Sequence, residues 1–228
     1  MKISSLQKGL VGHWTMSQDS LKGSLLADKT PYENDGTIYG ATFTTDRKGQ
    51  ANKAMSFDGN DYIDCGNDES LNFGTGDFST SLWVKSNGHE DKGSKFNMIL
   101  SKGAIVDDGH IPGYAISIYK DDKPLFQVNN AENTCAKGDN MINDGLYHHL
   151  VGVKNGTNLK LYVDNVLSNI QGTQNNSCSN IDIFLIGKSL YSNREFNGSI
   201  DDVRIYNRAL SQEEITLLYN SYNPILRI

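Results

Sequence analysis

The chain has 228 residues and a formal net charge of −6, with 21% charged residues, 11 Tyr, 8 Phe and 2 Trp. That is the composition of a folded protein long enough to bury a core without metals or disulfides, and it excludes a disordered or disulfide-stapled chain. An acidic surface repels phosphate backbones, which argues against nucleic acid, and no run reaches the roughly 18 apolar residues of a membrane span, which argues against membrane insertion.

The opening MKISSLQKGLVGHW has no apolar stretch ahead of a small-residue cleavage site, so no signal peptide is read there. From Gly9 onward, short alternating apolar runs follow one another, separated by Gly, Asn and Asp turns. In order they are GLVGHWTM, GTIYGATF from Gly36, KAMSF from Lys53, DFSTSLWVK from Asp77, NMILSKG from Asn97 and GYAISIY from Gly113. PLFQVNN from Pro124, HHLVGVK from His148, LKLYVDN from Leu159, DIFLIG from Asp182 and SIDDVRIY from Ser199 complete the series. Runs at about ten-residue spacing predict an antiparallel sandwich or barrel rather than βαβ units. In DFSTSLWVK, Phe78, Thr80, Leu82 and Val84 share one face, read as core. Ser79, Ser81, Trp83 and Lys85 share the other. Leu10, Trp14 and Met16 read as a second core stripe.

One helix is predicted. Ser211 and Glu214 fit a capping box, in which hydroxyl and carboxylate satisfy orphan backbone donors. Ile215, Leu218 and Tyr219 form its apolar stripe, and it ends near Asn220. With no linker, low-complexity tract or internal repeat, residues 1–228 read as one domain with a core over about 9 to 222. Of three cysteines, Cys135 and Cys178 lie in Asn/Ser-rich loops where a bridge is open but not required, and Cys65 is the odd one out.

Several runs in order resemble the laminin-G-like jelly rolls of the concanavalin A-like lectin/glucanase group. They are Gly9-Leu10-Val11-Gly12-His13-Trp14, Asn34-Asp35-Gly36-Thr37, and Ala54 through Tyr62. Phe78 to Lys85, Tyr147 to Val151 and Leu159 to Asp164 follow, and Phe196 to Ser211 is the most distinctive. The resemblance implies an all-β fold: a two-sheet antiparallel jelly-roll sandwich, with one sheet carrying a concave face. It also implies a structural calcium on the rim, held by the early Asp/Asn loop and by the Asp after Ile in the last long strand. Carried onto this chain, that ligand set is Asp28, Asn34 and Asp201. The early loop departs from the family's small residues at Pro31, Tyr32 and Glu33.

Calcium needs six to eight oxygens, and a buried Asp201 needs a partner. The alternative to the ion is that Asp201 and Asp202 pair with Arg204 and backbone donors. For sugar recognition, alternation makes Trp83 the aromatic platform, with Tyr32 and Tyr119 as companions and Tyr39 and Tyr191 as alternatives. Against that stands Trp83 packing under a loop or the terminal helix. A retaining glucanase needs two carboxylates about 5–5.5 Å apart on one strand face. Neither Asp61/Asp64 nor Glu213/Glu214 has that arrangement within a strand. His148 and His149 start a strand on opposite faces, so one reads as packed and the other as solvent-exposed. The leading expectation is a non-catalytic module binding carbohydrate on a cell surface or polysaccharide, extracellular, surface-bound or virion-associated. Its rivals are a structural or protein–protein module, self-association included, and a polysaccharide-active enzyme.

Overall fold

The computed structural model describes residues 5–103, 112–129, 135–190 and 194–221. Tyr191 and most of the Asp107–Gly113 loop lie outside the described residues. Period-two alternation builds two antiparallel sheets, each of nine strands among the described residues. The first runs Val166–Leu167, Asn158–Val163, His148–Asn155, Phe78–Ser86, Asn197–Tyr206, Ala54–Asp58, Thr42–Thr44. Leu10–Trp14 also pairs with Asn197–Tyr206, and Gly172–Thr173 with Asn158–Val163. The second sheet runs Ala136–Lys137, Pro124–Val128, Tyr114–Tyr119, Phe96–Lys102, Phe184–Ile186. It continues through Tyr62–Asp64, Gly36–Tyr39, Leu25–Leu26 and Leu21–Lys22.

Every alternating run becomes strand, and one of them divides. GTIYGATF supplies Gly36–Tyr39 to the second sheet and Thr42–Thr44 to the first. The crossing is made at Gly40, whose φ is +81° and where a Cβ would collide with the Asp61 carboxylate. Only glycine fits both demands.

The inward faces of the sheets meet in one core. Phe78, Leu82 and Val84 are fully buried there, as their spacing predicts. Each such side chain contributes about 1.5–3 kcal/mol by leaving water. The Trp14 ring stacks on Phe184 at 5.4 Å, and Phe78 meets Tyr114 at 4.9 Å. Where strand His148–Asn155 crosses Phe126 of the other sheet, Gly152 leaves room for the ring, and a Cβ would strike it. Leu10 departs from the expected stripe. A register shift between Leu10 and Gly12 turns it away from Trp14 and toward the terminal helix.

That helix spans Gln212–Asn220, with both hydrogen bonds of the Ser211/Glu214 capping box formed. Its Ile215 and Leu218 pack on Val151, Val153 and Tyr206, on the outer face of the first sheet. Arg208 grips Glu214 with two bonds of 2.6 and 2.8 Å and donates to the carbonyls of Ser5 and Lys8. The first described turn is thereby tied to the last element. Cys178 keeps a free thiol in the core, while Cys135 joins a separate apolar cluster with Tyr119 and Leu125. The two are not bridged.

Candidate functional site

Register places Trp83 at the centre of a row on the outer face of the first sheet. Across one edge it faces His149, and across the other Asp201. Residues directly opposite in an antiparallel pair share a face, so all three project outward together. The His149 ring stacks on the indole at 4.9 Å, and Tyr219 of the helix covers it at 5.6 Å, nearly parallel. Burial pushes the His149 imidazole down to about 3, so the ring is neutral near pH 7. Its Nε2 shares a 2.9 Å hydrogen bond with the Ser81 hydroxyl.

On the other side of Trp83 the last long strand is irregular. Its outer edge pairs with Ala54–Asp58 as far as Ile200 and with Leu10–Trp14 from Val203, which leaves Asp201 and Asp202 in the gap. The register against Phe78–Ser86 also shifts between Asp201 and Arg204, and Asp202 has φ +50°. This is a β-bulge, and it lets neighbouring aspartates that would point apart in a regular strand turn toward the same partner. Both carboxylates reach one guanidinium: Arg47 Nη1 bonds Asp201, and Nη2 lies 3.6 Å from Asp202. Arg204 pairs with Asp202 at 3.1 and 3.2 Å, and the His13 Nε2 is 2.8 Å from the same carboxylate.

Burial pushes the Asp201 carboxyl up to about 7 against the pull of Arg47. Burial also opposes ionisation of Asp202. The His13 hydrogen bond and the charges of Arg204 and Arg47 outweigh it, holding that carboxyl well below the usual carboxylate range. Arg47 reaches this place from the turn between Thr42–Thr44 and Ala54–Asp58. Asp46 builds that turn by accepting from the amides of Lys48 and Gln50, at 2.9 and 2.7 Å. The guanidinium lies 5.1 Å from the Trp83 ring centroid.

Over this row opens a cleft of about 540 Å3 lined by Thr45–Lys48, Trp83, Lys85, Gly145–Tyr147 and Tyr219. Tyr147 forms one wall: its hydroxyl donates to the Thr45 carbonyl at 2.9 Å, and Lys85 Nζ sits 5.6 Å over its ring. Burial pushes the Tyr147 hydroxyl up to about 12. The 145–147 segment is anchored by His148, which bonds Asp164 at 2.7 Å and Asp144 at 3.0 Å. The Asp164 bond outweighs burial and raises that imidazole to about 8. His149 is packed as expected; His148 is held between two carboxylates rather than standing in solvent. A smaller cavity of about 210 Å3, lined by His13, Lys53, Asp201, Asp202 and Arg204 among others, lies behind Arg47. Arg47 and Asp46 line both.

A family described as the concanavalin A-like lectin/glucanases superfamily matches residues 57–216. The chain belongs to that superfamily. No curated protein matches it in sequence. Among solved structures, the binding domain of Paraclostridial Mosquitocidal Protein 1 superposes with TM-score 0.70 at 17% identity, over 94% of this chain and 52% of that one. Domain 4 of AbnA, a GH43 extracellular arabinanase from Geobacillus stearothermophilus in complex with arabinotriose, gives 0.65 at 20% identity, over 92% and 98%. Trypanosoma rangeli sialidase in complex with sialic acid gives 0.69 at 17%, over 95% of this chain and 33% of that one. The chain therefore spans about half of the first of these and a third of the last. At such identities the likeness is one of fold.

Against that superfamily frame, the three aromatic residues singled out from sequence do not converge. Trp83 is 8% exposed beneath Tyr219, at the floor of the cleft. Tyr119 lies in the apolar cluster on the second sheet, tilted against Phe96 with Lys137 Nζ 4.4 Å over its ring. Tyr32 is exposed in the early turn. Arg47, Lys85 and Tyr147 were not chosen from sequence, and only the outward parity of Lys85 with Trp83 could have pointed to one of them.

The three calcium candidates divide likewise. Asp28 and Asn34 share one network: the Asp28 carboxylate accepts from the amides of His13, Thr30 and Asn34 and from the Thr30 hydroxyl, at 2.7–3.1 Å. The Asn34 side-chain amide donates to the Val11 carbonyl and to the Ser70 hydroxyl, and the Asn34 backbone carbonyl accepts from the Trp14 indole. Asp201 belongs to the Arg47 network. With the Asp28 carboxylate filled by four donors and the Asp201 carboxylate taken by Arg47, these side chains do not offer the six to eight converging oxygens that a calcium ion demands.

Proposed function

We propose that the chain is a non-catalytic recognition module that binds carbohydrate in the Trp83 cleft, acting on glycans at a cell surface or on a polysaccharide outside the cell. The observation that carries this reading is the cleft itself. Aromatic rings of Trp83, Tyr147 and Tyr219 stand together with the side chains of Lys48, Lys85 and Asp46 in one open hollow. The exposed ring surfaces of Tyr147 and Tyr219 above the Trp83 floor suit the C–H faces of a sugar, and the charged groups at the rim suit its hydroxyls; a hollow of this size suits a short oligosaccharide. The nearby carboxylates support binding over catalysis. Asp46 is engaged by its own turn, and the Asp201 side chain is 4% exposed behind Arg47. The structural neighbours include one domain in complex with arabinotriose and the binding domain of a mosquitocidal protein, which agrees with this reading at the level of fold.

The test is a glycan array followed by calorimetric titration of the best oligosaccharide. Tyr147→Ala and Lys85→Ala are expected to weaken binding about tenfold, some 1.4 kcal/mol each, with little change in Tm. Tyr39→Ala, on the second sheet, serves as a control that leaves affinity unchanged. A folded protein that binds no glycan, or whose glycan is indifferent to both cleft variants, removes the proposal.

A further inference from the structure

We infer that Arg47 serves as a built-in cation at this rim, its guanidinium standing between Asp202 and Asp201, the strand carboxylate that the superfamily resemblance assigns to a metal ion, so that the fold needs no divalent cation. The inference is independent of the glycan reading.

Three observations carry it. The first is occupancy. Arg47 is 7% exposed at its side chain, bonded to Asp201 and within 3.6 Å of Asp202. A calcium ion bridging the same carboxylates would displace the guanidinium or sit against its positive charge. The second is the state of the remaining candidate oxygens. Asp28 meets four donors, and the Asn34 amide nitrogen is spent on Val11 and Ser70, so these two side chains are already engaged by the protein. Among the described residues, no group of three or more His, Cys, Asp and Glu side chains is arranged to hold a metal ion. The third is the link between the two networks. His13 gives its backbone amide to Asp28 and its ring to Asp202, so a side chain joins the early loop to the last strand. That is the bridging task expected of the ion.

The choice of arginine has a physical reason. Its planar fork reaches two carboxylates at once and keeps a flat face for an aromatic ring, here Trp83 at 5.1 Å. A lysine would reach one carboxylate as a point charge and would offer no flat face to the indole. Arg47 also separates the two cavities, so the residue that balances the bulge forms part of the cleft wall.

The test is thermal denaturation of the purified chain in EDTA and in millimolar calcium, alongside Arg47→Gln and the charge-balanced Arg47→Gln/Asp201→Asn. The wild-type Tm is expected to be the same in both solutions, whereas a ligand that binds only the folded state would raise it by several degrees. Arg47→Gln is expected to lose several degrees, and the double variant to recover more than half of that loss. If Arg47→Gln does not fold, a folded double variant counts as the recovery. A wild-type Tm that drops in EDTA overturns the inference. So does a double variant no more stable than the single one.

Discussion

Two aspartate clusters stand at one rim of the molecule and are satisfied in opposite ways. Asp28 is surrounded by neutral donors, three of four drawn from Thr30 and Asn34 within its own turn. Asp201 and Asp202 are surrounded by charge brought from elsewhere: Arg47 from an early turn, His13 from the first strand and Arg204 from beyond the bulge. The first is local side-chain-to-backbone bonding, in which many modest bonds share the work. The second is a buried ionic group, whose parts depend on one another because a charge left alone in a low dielectric is costly. A rim built both ways should yield differently when each half is cut.

The largest expected effect is on the ionic half. Arg47→Ala strands the buried Asp201 carboxylate, leaves Asp202 to Arg204 and His13 alone, and should cost about 3–5 kcal/mol. Asp28→Ala leaves neutral donors that a turn can partly re-aim toward water, and should cost about 2–3 kcal/mol. Urea denaturation of both variants measures the gap. Equal losses would mean that the bulge is no more interdependent than the turn, and the contrast would fail.

Acidity pulls on the ionic half and on the cleft floor in opposite directions, through the two groups that flank Trp83. Asp201 titrates at about 7 in the folded chain, above its ordinary 3.8. Between those values the folded state holds a proton that the unfolded state lacks, so this group favours folding as pH falls. His149 titrates at about 3, below its ordinary 6.5. Between those values the unfolded state holds the extra proton, so stability is lost as pH falls. From pH 7 to about pH 5 the two contributions are each about 2–3 kcal/mol and opposite in sign. His149→Phe should therefore leave a chain that gains stability on acidification, and Asp201→Asn one that loses it, with wild type between them. Three parallel pH profiles from urea midpoints would show that neither group is coupled to folding.

The contrast also explains what was legible in the sequence. Strands announce themselves by alternation, and the Phe78–Lys85 run placed Trp83 outward with no knowledge of its neighbours. The helix was equally plain, because Ser211 and Glu214 are three residues apart and complete their own cap. The Asp28 turn is local as well, but its hydrogen bonds leave no alternation to read, and Asp28 and Asn34 come together in the sequence only through the resemblance, as ligands of an ion. The bulge could not be read. It arises because two different strands share one edge of Asn197–Tyr206 and leave a gap, a fact of pairing rather than of any segment. Arg47 then arrives from 154 positions away in the chain. Nothing in the turn that carries it marks it as the partner of Asp201. The cleft shares this origin, since its walls come from two connections and the terminal helix, whose meeting over Trp83 alternation does not describe.

The smallest expected effect concerns a third histidine–carboxylate group, intermediate between the two. His148 is bonded to Asp164 and to Asp144, but Asp144 is about half exposed and its share is screened. The imidazole titrates at about 8 rather than 6.5. Its stabilisation is thus complete below about pH 6.5 and lost as pH rises through about 8, worth about 1 kcal/mol after allowing for solvent. His148→Gln should flatten that part of the stability profile, and a urea midpoint that stays level in wild type would contradict the assignment. Because the same bonds anchor the segment carrying Tyr147, glycan affinity should weaken over the same window, and should do so less steeply in His148→Gln. The cleft wall would then be the one part of the site tuned by a group still in contact with water, while its floor is fixed by groups that are not.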